Sequence, residues 1–315
     1  MPDTRPPHAP AMGASRERNP RLWAALLGPD NHRRREAART ILALEAEHEY
    51  ARNLLAVLPT LALRQRAAAG EALSLLGDIR FSPPYYLSEM IYVPGGTALL
   101  GSEEYPDEYP PHAVEVAGFA LAQHPVTQAA YQVFVEATGH RRPRGWGRRG
   151  PDDAQRNMPV VHVSARDAEA YCRWLSAETG HSYRLPTEAE WVLAARGAGG
   201  ARIYPWGDTF EVGCANAWTR QPLERLCAVG LFPAGRGPYG HDDLAGNVWE
   251  WCSSLFWAYP YRADDGREDP GSDEPRVMHG GSWRSRPLSV RCSARQGEPP
   301  TDSFDVVGFR LARDS

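Results

Sequence analysis

The residues of this chain best suited to nucleophilic or metal chemistry are five cysteines: Cys172, Cys214, Cys227, Cys252 and Cys292. Their number is odd, no two stand at metal-finger spacing, and they are too few for a disulfide scaffold in a chain of 315 residues. Free cysteines are usually small buried apolar residues. The histidines offer less. A facial Fe(II) site needs two imidazoles one helical turn apart plus a carboxylate. His8, His32 and His48 lack that spacing, and His48 between Glu47 and Glu49 reads as a solvated helix face. His112, His124, His140, His162, His181, His241 and His279 are scattered singly. All 35 residues of the Lys+Arg total are arginine. That excludes a Schiff-base lysine, a P-loop lysine and a lysine general base. GC-rich coding explains the usage.

The elements that must position these groups fall into three parts. Residues 1–19 read as a disordered leader rich in Pro and Arg. Arg5, Arg16 and Arg18 have no apolar run behind them, which argues against a signal peptide. Residues 20–84 read as a small helical segment: Ile41, Leu42, Leu44, Leu54, Leu55 and Leu58 keep helical spacing, and so do Leu63, Ala67, Ala72 and Leu75 after a break at Pro59. The second stretch resembles one helix of a HEAT-type repeat, which cannot close a core alone. It must pack on the main domain or face a partner. Residues 85–315 are rich in Gly, Pro and Trp, and helical spacing is confined to 167–176 and 187–196. Such a chain suits an irregular α+β fold. Thr187 with Glu190 has capping-box spacing. A net charge of −4 gives no reason to expect nucleic-acid binding, and no apolar run approaches the ~20 residues that span a bilayer. A cytoplasmic location is expected.

The motifs of the last part are dense. MIYVPGGTALLGS (90–102), MPVVHVS (158–164), AYCRWL (170–175), YRLPTEAEW (183–191), YPWGD (204–208), LAGNVWEW (244–251), HGGSW (279–283) and VGFRLAR (307–313) follow one another. In this order they resemble the formylglycine-generating enzyme, or sulfatase-modifying factor, family over residues 88–313. The resemblance implies a C-type-lectin-like fold. Arg184 with Glu188 is expected to form an internal ion pair or cap, and Arg310 to be a buried structural arginine. Ala165, where the family usually has Trp, suggests a remodelled surface.

The family's oxidases resemble one another at the loop after GGS, where two thiolates bind copper. Here the first of those positions is Ser285 and the second falls near Pro287. Serine is a hard, poor ligand for Cu(I), so neither copper nor iron is expected. Ser282, Ser285, Cys252 and Cys292 are what remains for an altered catalytic site. Calcium is the metal the resemblance favours. Its ligands, carried over, are Asp243, the carbonyls of Gly246 and Val248, and Glu250. Hard oxygen ligands suit that ion.

Two readings follow. In the first, the protein is a pseudoenzyme, a recognition module that binds another protein or a peptide. Trp283, Arg284, Arg286, Gln296, Thr301, Asp302, Ser303 and Phe304 on the C-terminal loop face make the contacts, and the N-terminal helices dock a partner. In the second, it is an oxygen-dependent metalloenzyme, a sulfatase-maturation oxidase or a non-haem-iron type, with altered ligands.

Overall fold

The structure, a computed structural model, describes residues 19–220, 222–262 and 264–314. The leader expected over 1–19 lies outside the described residues except for Asn19. That residue is a helix cap, its side-chain oxygen accepting the amides of Arg21 (3.0 Å) and Leu22 (3.4 Å). Four helices follow: α1 (Pro20–Leu27), α2 (Asn31–Ala43), α3 (Glu47–Val57) and α4 (Leu63–Leu76). The single break expected at Pro59 is a 3-10 turn, Leu58–Thr60, and the chain also breaks earlier. There Glu45 takes a φ of 53°, a conformation that cannot continue a helix.

The alanine-rich α4 is buried over most of its length. Leu26, Ile41, Leu54 and Leu73 enclose a core with Cys227, Ala228, Leu231 and Phe232, which come from the main domain. The helices are therefore docked on that domain. Gly70 makes the closest approach: a methyl there would stand 2.8 Å from Ala228 Cβ and 2.9 Å from Leu231 Cδ1. Beside it the buried Glu71 pairs with both Arg34 and Arg225, the latter at 2.8 Å.

The remaining chain alternates short strands with helices: β1 (Met90–Val93), β2 (Gly96–Leu100), β3 (His112–Val116), β4 (Phe119–Ala122), α5 (Gln128–Thr138), α6 (Ala165–Thr179), β5 (Tyr183–Arg184), α7 (Glu188–Arg196), β6 (Trp249–Leu255), β7 (Arg276–His279), β8 (Arg295–Glu298), β9 (Val307–Gly308) and β10 (Ala312–Asp314). Strands pair as β1-β4-β10-β5, β2-β3 and β8-β7-β6-β9. All pairs are antiparallel except β6 with β9. This is the mixed α+β architecture the sequence implies. Helix α5 is one the spacing did not mark, and Thr127 caps it by accepting the Ala130 amide.

Helices α5 and α6 pack an aromatic core of Tyr131, Phe134, Tyr171 and Phe309 against Trp249 and Trp251. Ala165 sits inside this core with no exposed surface, so its small side chain marks an interior position and not a remodelled surface. The Thr187–Glu190 capping box of α7 forms as its spacing implies. The expected Arg184–Glu188 pair does not. Arg184 instead forks onto Glu190 at 2.7 Å and reaches Asp314 at 2.6 Å. Glu188 points the other way, into a buried cluster with Arg295 (2.7 Å), Tyr259 (2.9 Å) and His279 (3.2 Å).

Candidate functional site

The loop leaving β7 begins with Gly280 and Gly281 at φ 94° and 70°, where a side chain would be strained. A methyl on Gly281 would also lie 2.5 Å from the Ser289 carbonyl. The bend lets this loop lock onto the turn preceding β6. The Gly246 amide donates to Gly280 O (2.7 Å), and the Trp283 amide donates to Asn247 O (3.1 Å). Asn247, fully buried, accepts the Cys227 amide (3.2 Å) and donates to the Cys227 carbonyl (3.2 Å). Three separate segments thus fix Trp283.

Ser285 occupies this loop as a turn residue. Its Oγ accepts the Ser282 amide (2.9 Å), its own amide donates to Ser282 O (2.9 Å), and its carbonyl accepts the Trp218 amide (2.8 Å). Cys252 and Cys292 lie apart from it, each with no exposed surface, in the core formed by α7 and the sheets. Burial pushes the Cys292 thiol up to about 12 and the Cys252 thiol well above its ordinary value. A thiol is a nucleophile or ligand as the thiolate. No hydrogen bond joins either thiol to Ser282 or Ser285 among the described residues. The Ser282–Ser285 hydroxyl pair (3.4 Å) and the two core thiols are therefore not joined by hydrogen bonds.

Three of the four calcium positions, Glu250, the Gly246 carbonyl and Asp243, already accept hydrogen bonds from within the chain. Arg310, fully buried as expected, donates to Glu250 from Nε and Nη2 at 2.6 Å each, and Trp191 Nε1 adds a third donor at 2.9 Å. The Gly246 carbonyl accepts the Val248 amide (2.8 Å), and Asp243 accepts the Gly230 amide (2.7 Å). Burial, with Asp242 next to it, raises the Asp243 carboxyl to about 7. A hard cation needs several free oxygens. With a guanidinium already on Glu250, these residues as arranged do not fit the ion. Among the described residues no group of three or more His, Cys, Asp or Glu is placed to hold a metal.

Two adjoining clefts open beside Trp283. One, of about 600 Å³, is lined by Arg141, Arg144, His162, Ser303, Phe304 and Asp305. The other, of about 310 Å³, shares Arg144, His162 and Asp305 and adds Trp146, Trp283 and Arg225. Arg284 bridges to Asp305 (2.7 Å) and stacks 4.5 Å over the Trp283 ring. Of the expected contact residues, Trp283, Ser303 and Phe304 line the clefts and Arg284 borders them. Arg286, Gln296, Thr301 and Asp302 are exposed but line neither. Phe304 also packs against the aromatic core. Sequence reading missed Arg144, Trp146 and His162. The signal was the arginine-dense run HRRPRGWGRR over 140–149.

A loop-rich α+β domain whose GNVWEW and GGSW turns are pinned to one another is the fold of a sulfatase-modifying factor. Residues 78–315 match the sulfatase-modifying factor enzyme 1-like domain, and the chain belongs to that family. It is similar to the hercynine oxygenase of Mycolicibacterium smegmatis, 32% identical over an aligned span of 267 residues that covers 71% of this chain and 61% of that protein. It is also similar to the inactive C-alpha-formylglycine-generating enzyme 2 of Mus musculus, at 30% identity over 71% of this chain and 85% of the relative. Among solved structures, PvdO from Pseudomonas aeruginosa superposes with a TM-score of 0.61 at 28% identity, covering 72% of this chain and 95% of PvdO. No helix among the described residues is long and apolar enough to cross a membrane.

Proposed function

We propose that this protein is a pseudoenzyme of its family, a recognition module that binds a protein or peptide through the C-terminal loop face. The observation that carries the reading is Ser285. It stands at the position the family resemblance assigns to a catalytic cysteine, and its hydroxyl is spent inside the turn. Oxygen chemistry needs a redox centre, since side chains do not activate O₂ alone. The thiols nearest in sequence, Cys252 and Cys292, are sealed in the core. On the same face, Trp283 and Arg284 offer the residue types that dominate interface energetics.

A thermal-shift screen of peptides and small carboxylates tests the reading. Ligands are expected to raise the melting temperature of the wild type and to lose that effect in Trp283→Ala. An unresponsive wild type that consumes oxygen with a thiol peptide and added copper or iron would favour the oxygenase reading instead. That second reading draws on the relative named hercynine oxygenase.

A further inference from the structure

The cations around the two clefts are not equivalent. Arg141 is held by Asp167 (3.1 Å from Nε to Oδ1), Arg284 by Asp305, and Arg225 by Glu71. Arg144 lines both clefts, and among the described residues no acid lies within ion-pair distance of it. An exposed guanidinium beside a cleft, its donors uncommitted, is suited to bind a carboxylate or phosphate in the bidentate manner.

Trp283 lines the smaller cleft together with Arg144. Trp283 Nε1 is buried and has no acceptor. A buried unmade donor is destabilising, and other indoles find acceptors: Trp191 reaches Glu250, Trp251 reaches Val163 O, and Trp206 reaches Thr209 O. The wall the clefts share is formed by Arg144, by Asp305, whose carboxylate is taken up by Arg284, and by His162. Its φ of 60° is left-handed for a non-glycine residue, and its amide is tied to Phe304 O at 2.8 Å. Such strain gathers at ligand clamps. On the same loop as Arg144, Arg142, Arg148 and Arg149 are all exposed, so this loop is positive on a chain of net charge −4.

We propose that Arg144 and Trp283 Nε1 form an anion subsite, and that the module's ligand is an acidic peptide segment that places one carboxylate there. The inference deepens the recognition-module reading and rests on it. The cleft volumes admit a side chain and a few backbone atoms, while the flat faces of Trp146 and Trp283 take an apolar neighbour. A long polyanion is disfavoured, because Asp305 and Glu224 line the smaller cleft and the chain as a whole is acidic.

The test uses the full chain and fluorescence anisotropy. The probes are a mixed-sequence decapeptide pool rich in Asp and Glu, the same pool with those residues as Asn and Gln, inorganic phosphate as competitor, and a single-stranded oligonucleotide. The acidic pool is expected to bind at least tenfold tighter than the amide pool. Arg144→Ala is expected to remove that difference, and Trp283→Phe, which keeps an aromatic face and deletes the donor, to reduce it. Competition by millimolar phosphate also supports the subsite and identifies phosphate as an alternative source of the anion. Equal binding of both pools, unaffected by Arg144→Ala, would overturn the anion subsite while leaving the recognition module standing. Binding of neither pool nor phosphate overturns the subsite and removes support from the module. Tighter binding of the oligonucleotide than of the acidic pool overturns the peptide assignment.

Discussion

Arg310 lies side-on to Glu250, two guanidinium nitrogens each 2.6 Å from a carboxylate oxygen, with neither side chain exposed. The remaining donors of Arg310 reach Ala122 O (3.1 Å), Gln123 O (3.2 Å) and Asp242 O (3.0 Å). One side chain thus ties β4, β6 and the segment before β10. Removing one partner of a buried pair strands the other charge, at about 3–5 kcal/mol. Arg310→Met is expected to destabilise by that amount in urea unfolding. The double variant with Glu250→Gln should recover part of the loss, since no charge is then left unpaired at Glu250.

The same pair bears on calcium. Because Arg310 already neutralises Glu250, chelator is expected to leave the wild-type melting temperature unchanged. Arg310→Met leaves Glu250 unpaired near Asp243, and millimolar calcium should then raise that variant's melting temperature. A wild type that loses stability in chelator would show that calcium displaces the arginine.

The helical segment offers a contest between propensity and packing. Gly70→Ala gains about 1 kcal/mol in a helix interior. Its methyl, however, would push against Ala228 and Leu231, and overpacking costs about 1–3 kcal/mol. Net destabilisation is expected. Leu231→Ala, which opens a cavity in the shared core, should cost about 2–5 kcal/mol. Neither change altering the unfolding midpoint would mean that the helices are not docked as described.

Stability should fall in acid, with His124 as one source. It is fully buried, 3.2 Å from Asp242 and 3.0 Å from Ser88 Oγ, and burial lowers its pKa from 6.5 to about 4. Below pH 6.5 the unfolded chain takes up a proton that the native chain refuses until about pH 4. Its contribution is therefore present above pH 6.5 and is lost as the pH falls through that window, at ~1.4 kcal/mol per pH unit at steepest. His124→Gln should flatten this slope. Glu188 and Asp167 are both lowered to about 2 against burial, Glu188 by Arg295 and Asp167 by Arg141. Their contributions are present above the unfolded carboxylate range and are lost as the pH falls below about 4 toward 2.

Much of the fold was legible because its motifs are local. The Thr187 cap and the glycine bends are fixed by residues a few positions apart, while the buried Arg310 was legible through its VGFR motif although its partners Glu250, Asp242 and Ala122 are distant in sequence. The Arg184 partner was misread because α7 begins at Glu188 and turns that side chain inward, leaving Glu190 to face β5. The clefts were illegible for a different reason. Their walls come from 128–162, 224–226 and 283–305, and the first meets the last where the His162 amide donates to Phe304 O. No spacing within either segment encodes that meeting. The open guanidinium of Arg144 is likewise defined by the absence, among the described residues, of an acid that only the tertiary structure could have supplied.

The most direct test of the central claim is an anaerobic Cu(I) titration of the purified chain against a chromophoric chelator, followed by oxygen uptake with a thiol peptide. With Ser285 in the turn and Cys252 and Cys292 buried, the chelator is expected to keep the copper and no oxygen to be consumed. One copper held per chain, released by alanine at Cys252 and Cys292 and accompanied by oxygen uptake, would contradict the account.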